Sequence, residues 1–573
     1  MSGVVTRPES PATASVTRPS AASERPPIAR KRRRFAGYRG PAALFLVAYA
    51  FYAGVGLYVT LSLHAVAGDA EARLSHAYFA LWDDPGKLAA IGFYWPPLQT
   101  AVFLPVAVIR PLATSLAALP LVSALFAAGI VVVMERALAL SQLRAWLRWS
   151  IVIAVGLNPA LLFYAANGMA ESLYAFFLAL GLLVFVRWTI APRWYHVPLA
   201  GFILALGVLA RFEVGLWTPV VAFGIAGVMI RRRSSLSSIE GSLVAFGTPI
   251  AYALLIWVYL NWEIVGNPFA FLEGGAVNLE AASAPEPAVG DGDPTVARGP
   301  LAVALTLALD VFRLEHGLFW PTSALAAVLL IVAVSKKRFV ALVLSGALLT
   351  NALATIVLIL ALGGQVLLFF RYHVRIIPIT VVAFGWLLTV LPPSRLRLPG
   401  MIALASAVLA IPATGATMFT YPPTVGERGF LEALLEGADQ DGILPPRGSG
   451  VPVGDEREMA KFIKANVPGR NAVLTDDAVT YGVMLADGHP SRYIDRIDVG
   501  DRRWEFIRDH PIGRTRYFLI PRFTGRALNA DGLLRSYPTL NLRGTLKPNF
   551  LRLVHQNDSY ALFAVARRAR VGR

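Results

Sequence analysis

The 573 residues contain no cysteine, which removes disulfides, thiolate metal sites and thiol redox chemistry together. Charge is scarce as well: Asp, Glu, Lys and Arg make up 16% of the chain against 56% hydrophobic residues. With a mean hydropathy of +0.56, that is too little polar surface for a soluble multidomain protein. Acids are fewer than bases, 36 against 53, for a formal charge of +17. The basic residues form no single patch interleaved with aromatics, so the excess does not argue for nucleic acid. They sit in short clusters between apolar runs and in the terminal segments, where the positive-inside bias and anionic headgroups account for them. HExxH, CxxC, Walker and GxSxG patterns are absent, which leaves zinc hydrolysis, nucleotide hydrolysis and serine acyl transfer without support. No internal repeat is visible.

What is present is a series of apolar runs approaching the roughly 20 residues that cross a bilayer. The fold class they imply is mainly α: a polytopic transmembrane helical bundle of about 11 spans, with a small C-terminal extracytoplasmic α/β domain. Three regions follow: a disordered basic cytoplasmic tail (1–40), a transmembrane domain (41–420) and the extracytoplasmic domain (421–573). The tail is rich in Ser, Pro, Thr and Ala and ends in Arg30-Lys31-Arg32-Arg33-Arg34, which places the N-terminus inside. The apolar run after it, about 42–64, is long and lacks a small-residue cleavage site, so it is expected to stay as an anchor. Further spans are expected at about 113–137, 150–168, 173–190, 196–211, 213–230, 240–262, 317–335, 339–362, 374–392 and 398–418. Segment 93–111, interrupted by Pro96, Pro97, Pro105 and Pro111, is taken as re-entrant or juxtamembrane. With that parity the arginine clusters at 136–148, 187–193, 231–233, 336–338 and 395–397 all become cytoplasmic, in an integral plasma membrane.

The costly polar residues then fall on the opposite, extracytoplasmic side. There the loop at about 273–299 is expected to be mobile, and 301–313 to be a helix along the interface. Beyond 421 charge rises and strand and helix signals alternate. Asp455-Glu456-Arg457-Glu458 opens a helix with Asp455 at its cap. Strands are expected at 471–475, 516–521 and 560–565, and a helix at 478–485.

Asp69 and Glu71 lie just past the first apolar run. One could act as general base while the other orients it or binds a cation; alternatively they are the solvated start of a helix. Asp83 and Asp84 read as turn residues. Glu171 could meet that acidic pair across a cleft or cap the following helix. Arg211 and Glu213 stand between two apolar helices, a costly place without partners. Arg371, Tyr372, His373 and Arg375 interrupt another apolar stretch. Guanidinium groups there suit a phosphate or diphosphate, the alternative being snorkelling toward headgroups.

In sequence order these residues resemble the GT-C type membrane glycosyltransferases, on the branch of the dolichyl-phosphate-mannose protein mannosyltransferases and the aminoarabinose transferase of lipid A. The matching features are Asp69-Ala70-Glu71, Tyr94-Trp95-Pro96-Pro97-Leu98, the acid in the 167–172 turn, Arg211-Phe212-Glu213, Gly266-Asn267-Pro268, and Arg371-Tyr372 leading to Pro378. The resemblance covers about 40–420. It implies a sugar transferred with inversion from a polyprenyl-phosphate donor to a hydroxyl of a protein, lipid or glycan acceptor. It also implies Asp69 as catalytic base, Glu71 as its neighbour and Glu171 as the second external acid. Arg211, Arg371 and Arg375 would bind the donor phosphate, with Glu213, Tyr372, His373 and Trp95 as further site candidates. A divalent cation could sit among Asp69, Glu71 and Glu171, although the mannosyltransferase-like branch generally works without one. No WWDYG-like motif occurs, which argues against an oligosaccharyltransferase, and no Lys stands in the Trp95-Pro96-Pro97 turn as in the aminoarabinose branch. Other readings are a transporter or flippase of lipid-linked substrates, with the same charges as gates, and an inactive scaffold of the same fold.

Overall fold

The computed structural model describes residues 29–92, 95–271, 296–298, 316–336, 365–367, 370–420, 425–440, 452–522, 531–541 and 548–566. The expectations for 1–28, for most of the 273–299 loop, for a helix at 301–313 and for a span at 339–362 lie outside those residues. Met1–Ala43 and Leu44–Arg573 are separate compact units.

The helices run in chain order as α1 (Ala29–Leu61), α2 (Gly68–Trp82), α3 (Leu98–Ala107), α4 (Arg110–Thr114), α5 (Ala118–Leu138) and α6 (Ala145–Gly156). They continue as α7 (Pro159–Ala166), α8 (Ala170–Ile190), α9 (His196–Ala210), α10 (Trp217–Arg231) and α11 (Leu236–Val265). After these come α12 (Phe319–Lys336), α13 (Ile376–Leu388) and α14 (Arg397–Thr420). Between α11 and α13, β1 (Val296–Arg298) and β2 (Gln365–Leu367) form an antiparallel ribbon.

Among the described residues six helices are long and apolar enough to cross a bilayer, or seven if α6 and α7, bent by 63°, form one span. The chain is a multi-pass membrane protein, but the described residues do not reach the expected 11 separate spans. α9 has 15 residues, about 22 Å of helix against a hydrocarbon core of about 30 Å. α13 is shorter still, with 13 residues. α3 has ten residues including Pro105, about 15 Å of helix, half the thickness of a hydrocarbon core.

α5 and α8 are apolar all round and buried on most of their surface, the pattern of an interior helix. α8 packs on α5 and α9, and α9 on α11. At the α9–α11 crossing a Cβ on Gly201 would collide with the backbone of Phe246, so glycine is what lets the two helices approach.

The C-terminal region contains α15 (Val425–Glu436), α16 (Val453–Asn466), α17 (Asp477–Asp487), α18 (Arg496–Val499), α19 (Asp501–Asp509) and α20 (Gly532–Ser536). Its strands are β3 (Val473–Leu474), β4 (Tyr493–Ile494), β5 (Tyr517–Pro521), β6 (Leu551–Gln556) and β7 (Tyr560–Val565), in the sheet order β4-β3-β5-β7-β6. β3 is parallel to β4 and β5, and β7 is antiparallel to β5 and β6. The expected strand at 471–475 is only two residues long, and β4 and β6 were not anticipated. Pro452, not Asp455, occupies the cap of α16, which places Asp455 in its first turn. Along β5 and β7 the side chains alternate, as the two-residue period of a strand demands. Leu519, Tyr560 and Leu562 join a core with α2, α3, α16 and α17. Phe518, Ile520, Ala561 and Phe563 join another around Trp504 and Leu533. α2 is thus buried on one side by the sheet domain.

Candidate active site

The α7–α8 corner shows how the chain aims an acid at this end of the bundle. Gly168 has φ +78, and a Cβ there would sit 2.7 Å from Leu119 Cβ, so only glycine fits. Its carbonyl accepts from Gln99 Nε2 at 2.8 Å, and its N–H donates to Ser123 Oγ at 3.1 Å. That corner starts α8 with Glu171 in the first turn. Antiparallel to α8, α9 ends at Arg211, an extended residue before the 3₁₀ turn Phe212–Leu216. The two helix ends therefore bring Glu171, Arg211 and Glu213 together.

Arg211 Nη1 donates to Glu171 Oε1 at 2.5 Å and Nη2 to Glu213 Oε1 at 2.7 Å, while its Cζ lies 5.2 Å from the Tyr174 ring centroid. A second pair lies beside this clamp. Arg371, in the 3₁₀ turn Phe370–Tyr372, donates from Nη1 to Asp69 Oδ2 at 2.6 Å. Tyr174 connects the two, its hydroxyl donating to the Arg371 carbonyl at 3.4 Å.

Asp69 is in the first turn of α2, but the helix cap is Ala67, so the carboxylate is spent on Arg371 rather than on the helix end. The surrounding protein mass tends to desolvate it, but the charges of Arg371, then Arg73 and Arg211, outweigh that and hold Asp69 below the usual aspartate range. Its side chain is 58% exposed, whereas Glu171 is 1% exposed, so Asp69 is the one of the two that is accessible from outside.

Arg73 was missed in the sequence. It lies four residues after Asp69, on the same helix face, and that spacing was the available signal. Its Cζ is 4.9 Å from the Trp95 ring centroid, and it donates to the Pro96 carbonyl at 3.4 Å. Burial lowers its pKa to about 10, opposed by Asp69. Trp95 is 39% exposed. Arg375 is buried and acts through its charge on Tyr174 and Glu213. His373 is half-buried, and its backbone N–H donates to the Phe370 carbonyl at 2.9 Å. The side chain of Tyr372 lies outside the described residues. Four guanidinium groups (Arg73, Arg211, Arg371 and Arg375) against three carboxylates (Asp69, Glu171 and Glu213) leave one positive charge over while the neighbouring Glu427 is protonated, which suits an anion.

Glu427 on α15 was also missed; nothing around it in the sequence marks it. It accepts from Tyr164 Oη at 2.5 Å and is nearly buried. Burial pushes its pKa up to about 7, despite the hydrogen bond from Tyr164 and the charge of Arg371.

Glu71, expected beside Asp69, faces the other way. It is 2% exposed and is hydrogen-bonded to Glu456 of α16, itself 1% exposed. Burial raises the pKa of both carboxyls, and Tyr560 Oη donates to Glu456 Oε1 at 3.0 Å. The cation site sketched from Asp69, Glu71 and Glu171 is therefore not assembled. Among the described residues no three His, Asp or Glu side chains converge to hold a metal ion.

No family model and no curated protein matches the sequence. Solved structures do match. ArnT from Cupriavidus metallidurans in the apo state is similar with a TM-score of 0.50 at 15% identity, over 92% of this chain and 98% of that one. The same enzyme bound to undecaprenyl phosphate gives 0.48 at 15% identity, over 91% and 97%. The oligosaccharyltransferase AglB from Archaeoglobus fulgidus, in complex with an inhibitory peptide and a dolichol-phosphate, gives 0.43 at 9% identity, over 87% and 70%. The chain has the GT-C fold. At these identities the likeness is one of fold alone.

Proposed function

We propose that this protein is a membrane glycosyltransferase that takes a sugar from a polyprenyl-phosphate donor and passes it, with inversion, to an acceptor hydroxyl on the extracytoplasmic face. The observation that carries the reading is the exposed carboxylate of Asp69 held by Arg371 beside the Arg211 clamp, on a GT-C fold. The hydroxyl belongs to a protein, a lipid or a glycan.

The acceptor oxygen attacks the anomeric carbon, its bond to that carbon forms as the carbon–phosphate oxygen bond breaks, and the polyprenyl phosphate leaves with the electron pair. The acceptor proton goes to Asp69. Arg371 is the hinge of this scheme. An arriving phosphate competes for its N–H groups, which frees Asp69 from the partner that depresses its basicity and stabilises the leaving group at once. Arg211, neutralised by Glu171 and Glu213, serves mainly to fix the wall of the site. For the lipid tail there is an apolar cavity of about 320 Å³ near Leu209, bounded by Pro97, Phe202, Tyr252, Ile256 and Trp257.

The test is transfer of radiolabelled sugar from a panel of polyprenyl-phosphate sugars in membranes carrying the wild type or Asp69→Asn. Transfer that disappears with Asp69→Asn, at equal folded levels, is the expected outcome. Transfer that persists in the variant would remove Asp69 from the role of base. Absence of transfer from every donor, with acceptor-containing membranes supplied, would shift the reading to transport or scaffolding.

A further inference from the structure

A second anion-favouring place lies at the other end of the helices that build the site. α8 begins beside Glu171 and runs for 21 residues to Ile190, about 30 Å away, roughly one hydrocarbon thickness. There, between the α8–α9 connector and the α10–α11 connector, a cavity of about 600 Å³ opens to the surface. Trp188, Arg193, Trp194, Arg232, Ser238 and Ser242 are among its lining residues, and no carboxylate lines it.

Both arginines are positioned by the protein. Arg232 Nη2 donates to the Thr189 carbonyl at 2.8 Å, and its Cζ lies 5.2 Å from the Trp188 ring centroid. Arg193 Nη1 donates to Tyr195 Oη at 3.0 Å. Each guanidinium carries five N–H donors, so each retains donors for an incoming acceptor. In sequence the lining residues are flanked by Arg187 near the end of α8, Arg231 at the end of α10 and Arg233 after it, with Glu240 as the nearby acid. Apart from Ser234 the rest of the wall is apolar, and Trp194 stands 88% exposed at the rim. From there Leu236 and Val244, both exposed, carry apolar surface along α11.

We propose that this cavity binds the phosphate headgroup of an anionic phospholipid in the leaflet around this end of the bundle, with the acyl chains lying along α11. Charge complementarity selects the occupant: fixed guanidiniums without an opposing acid meet a phosphate, tryptophans sit at headgroup depth, and an apolar face receives the chains. The inference does not depend on the glycosyltransferase reading.

The test uses the full chain in phosphatidylcholine nanodiscs doped with brominated phosphatidylglycerol or brominated phosphatidylcholine. Bromine quenches nearby tryptophans, and subtracting the signal of Trp194→Phe isolates the cavity from the other tryptophans. The expected result is a preference for the brominated anionic lipid, lowered about fivefold for each arginine replaced in Arg193→Gln and Arg232→Gln. Arg193→Gln, at an exposed connector, keeps the test intact should Arg232→Gln fail to fold. Equal quenching by the two lipids, or a preference unchanged in Arg193→Gln, would overturn the proposal. So would loss of the preference on adding inorganic phosphate, which would make the ligand a free anion rather than a lipid.

Discussion

Asp69 and Glu71 stand two residues apart on α2, yet one is 58% exposed against Arg371 and the other 2% exposed against Glu456. Two residues are about 200° of helix, so closeness in sequence became opposite faces in space. The ionised face meets Arg371 at the end of the bundle. The buried face is held by the sheet domain. α2 is therefore the element through which movement of the C-terminal domain would reach Asp69.

The sharpest way to break this contrast is to remove each acid in turn. Asp69→Asn is expected to lower sugar transfer about 10²–10⁴-fold, the range of a general base, with unchanged thermal stability. Glu71→Gln should leave the rate nearly as it is. Equal losses in the two variants, measured as kcat/KM in nanodiscs, would mean that the faces act as one unit.

Next in size is the Arg211 clamp, where the effect should appear in stability. Glu171→Ala leaves a mostly buried guanidinium with one partner fewer, at a cost of about 3–5 kcal/mol. Thermal melting in detergent should show a large fall in Tm, with a smaller fall for Glu171→Gln. An unchanged Tm would mean that Arg211 relaxes to solvent and that the clamp is not structural.

Asp69, Glu171, Arg211 and Arg371 were all legible as candidates, because charge beside apolar runs is costly and stands out, and the structure brings them together. Their order along the chain also pointed to the fold that the structural comparison found. Partner choice was much less legible. That Glu171 bonds Arg211 while Asp69 bonds Arg371 depends on the Gly168 corner and on where α2 begins, and neither is a local pattern. Glu427 and Glu456 look like ordinary acids on amphipathic helices until their burial is known. Among the described residues six or seven helices are long enough to cross, because stretches such as α9 and α13, apolar enough to be expected as spans, form helices of only 15 and 13 residues.

A pH titration sharpens the buried side of α2. Glu71 and Glu456 are held above the ordinary glutamate range by burial, Glu71 up to about 7, with Tyr481, Tyr560 and Arg457 as the other titratable or charged groups around them. The folded state thus binds protons more tightly than the unfolded state, so stability falls as pH rises. This contribution is fully present below about pH 4.5 and is lost as pH rises toward and through 7. Glu456→Gln, which is neutral at every pH, should flatten that decline and raise stability at pH 8 by on the order of 2 kcal/mol. Parallel Tm–pH curves for wild type and variant would show that the two carboxyls do not share a proton.

The smallest effect is expected where geometry alone would suggest a large one. Arg470 Nη2 lies 2.7 Å from Asp84 Oδ2 in the turn after α2, nearly the same spacing as Arg371 to Asp69 at 2.6 Å. Both partners of the outer pair are more than half exposed, at 58% and 64%, whereas Arg371 is only 20% exposed. Water screens the outer pair and leaves its long side chain free to move, so Arg470→Ala should shift stability by less than about 1 kcal/mol and leave transfer unaltered. Arg371→Ala removes a charge that depresses Asp69 and, in the proposed reaction, holds the leaving phosphate, so it should reduce kcat. If Arg470→Ala instead reduced transfer with no change in Tm, the Asp84 turn would be a working contact between the sheet domain and α2, and the division between its two faces would no longer hold.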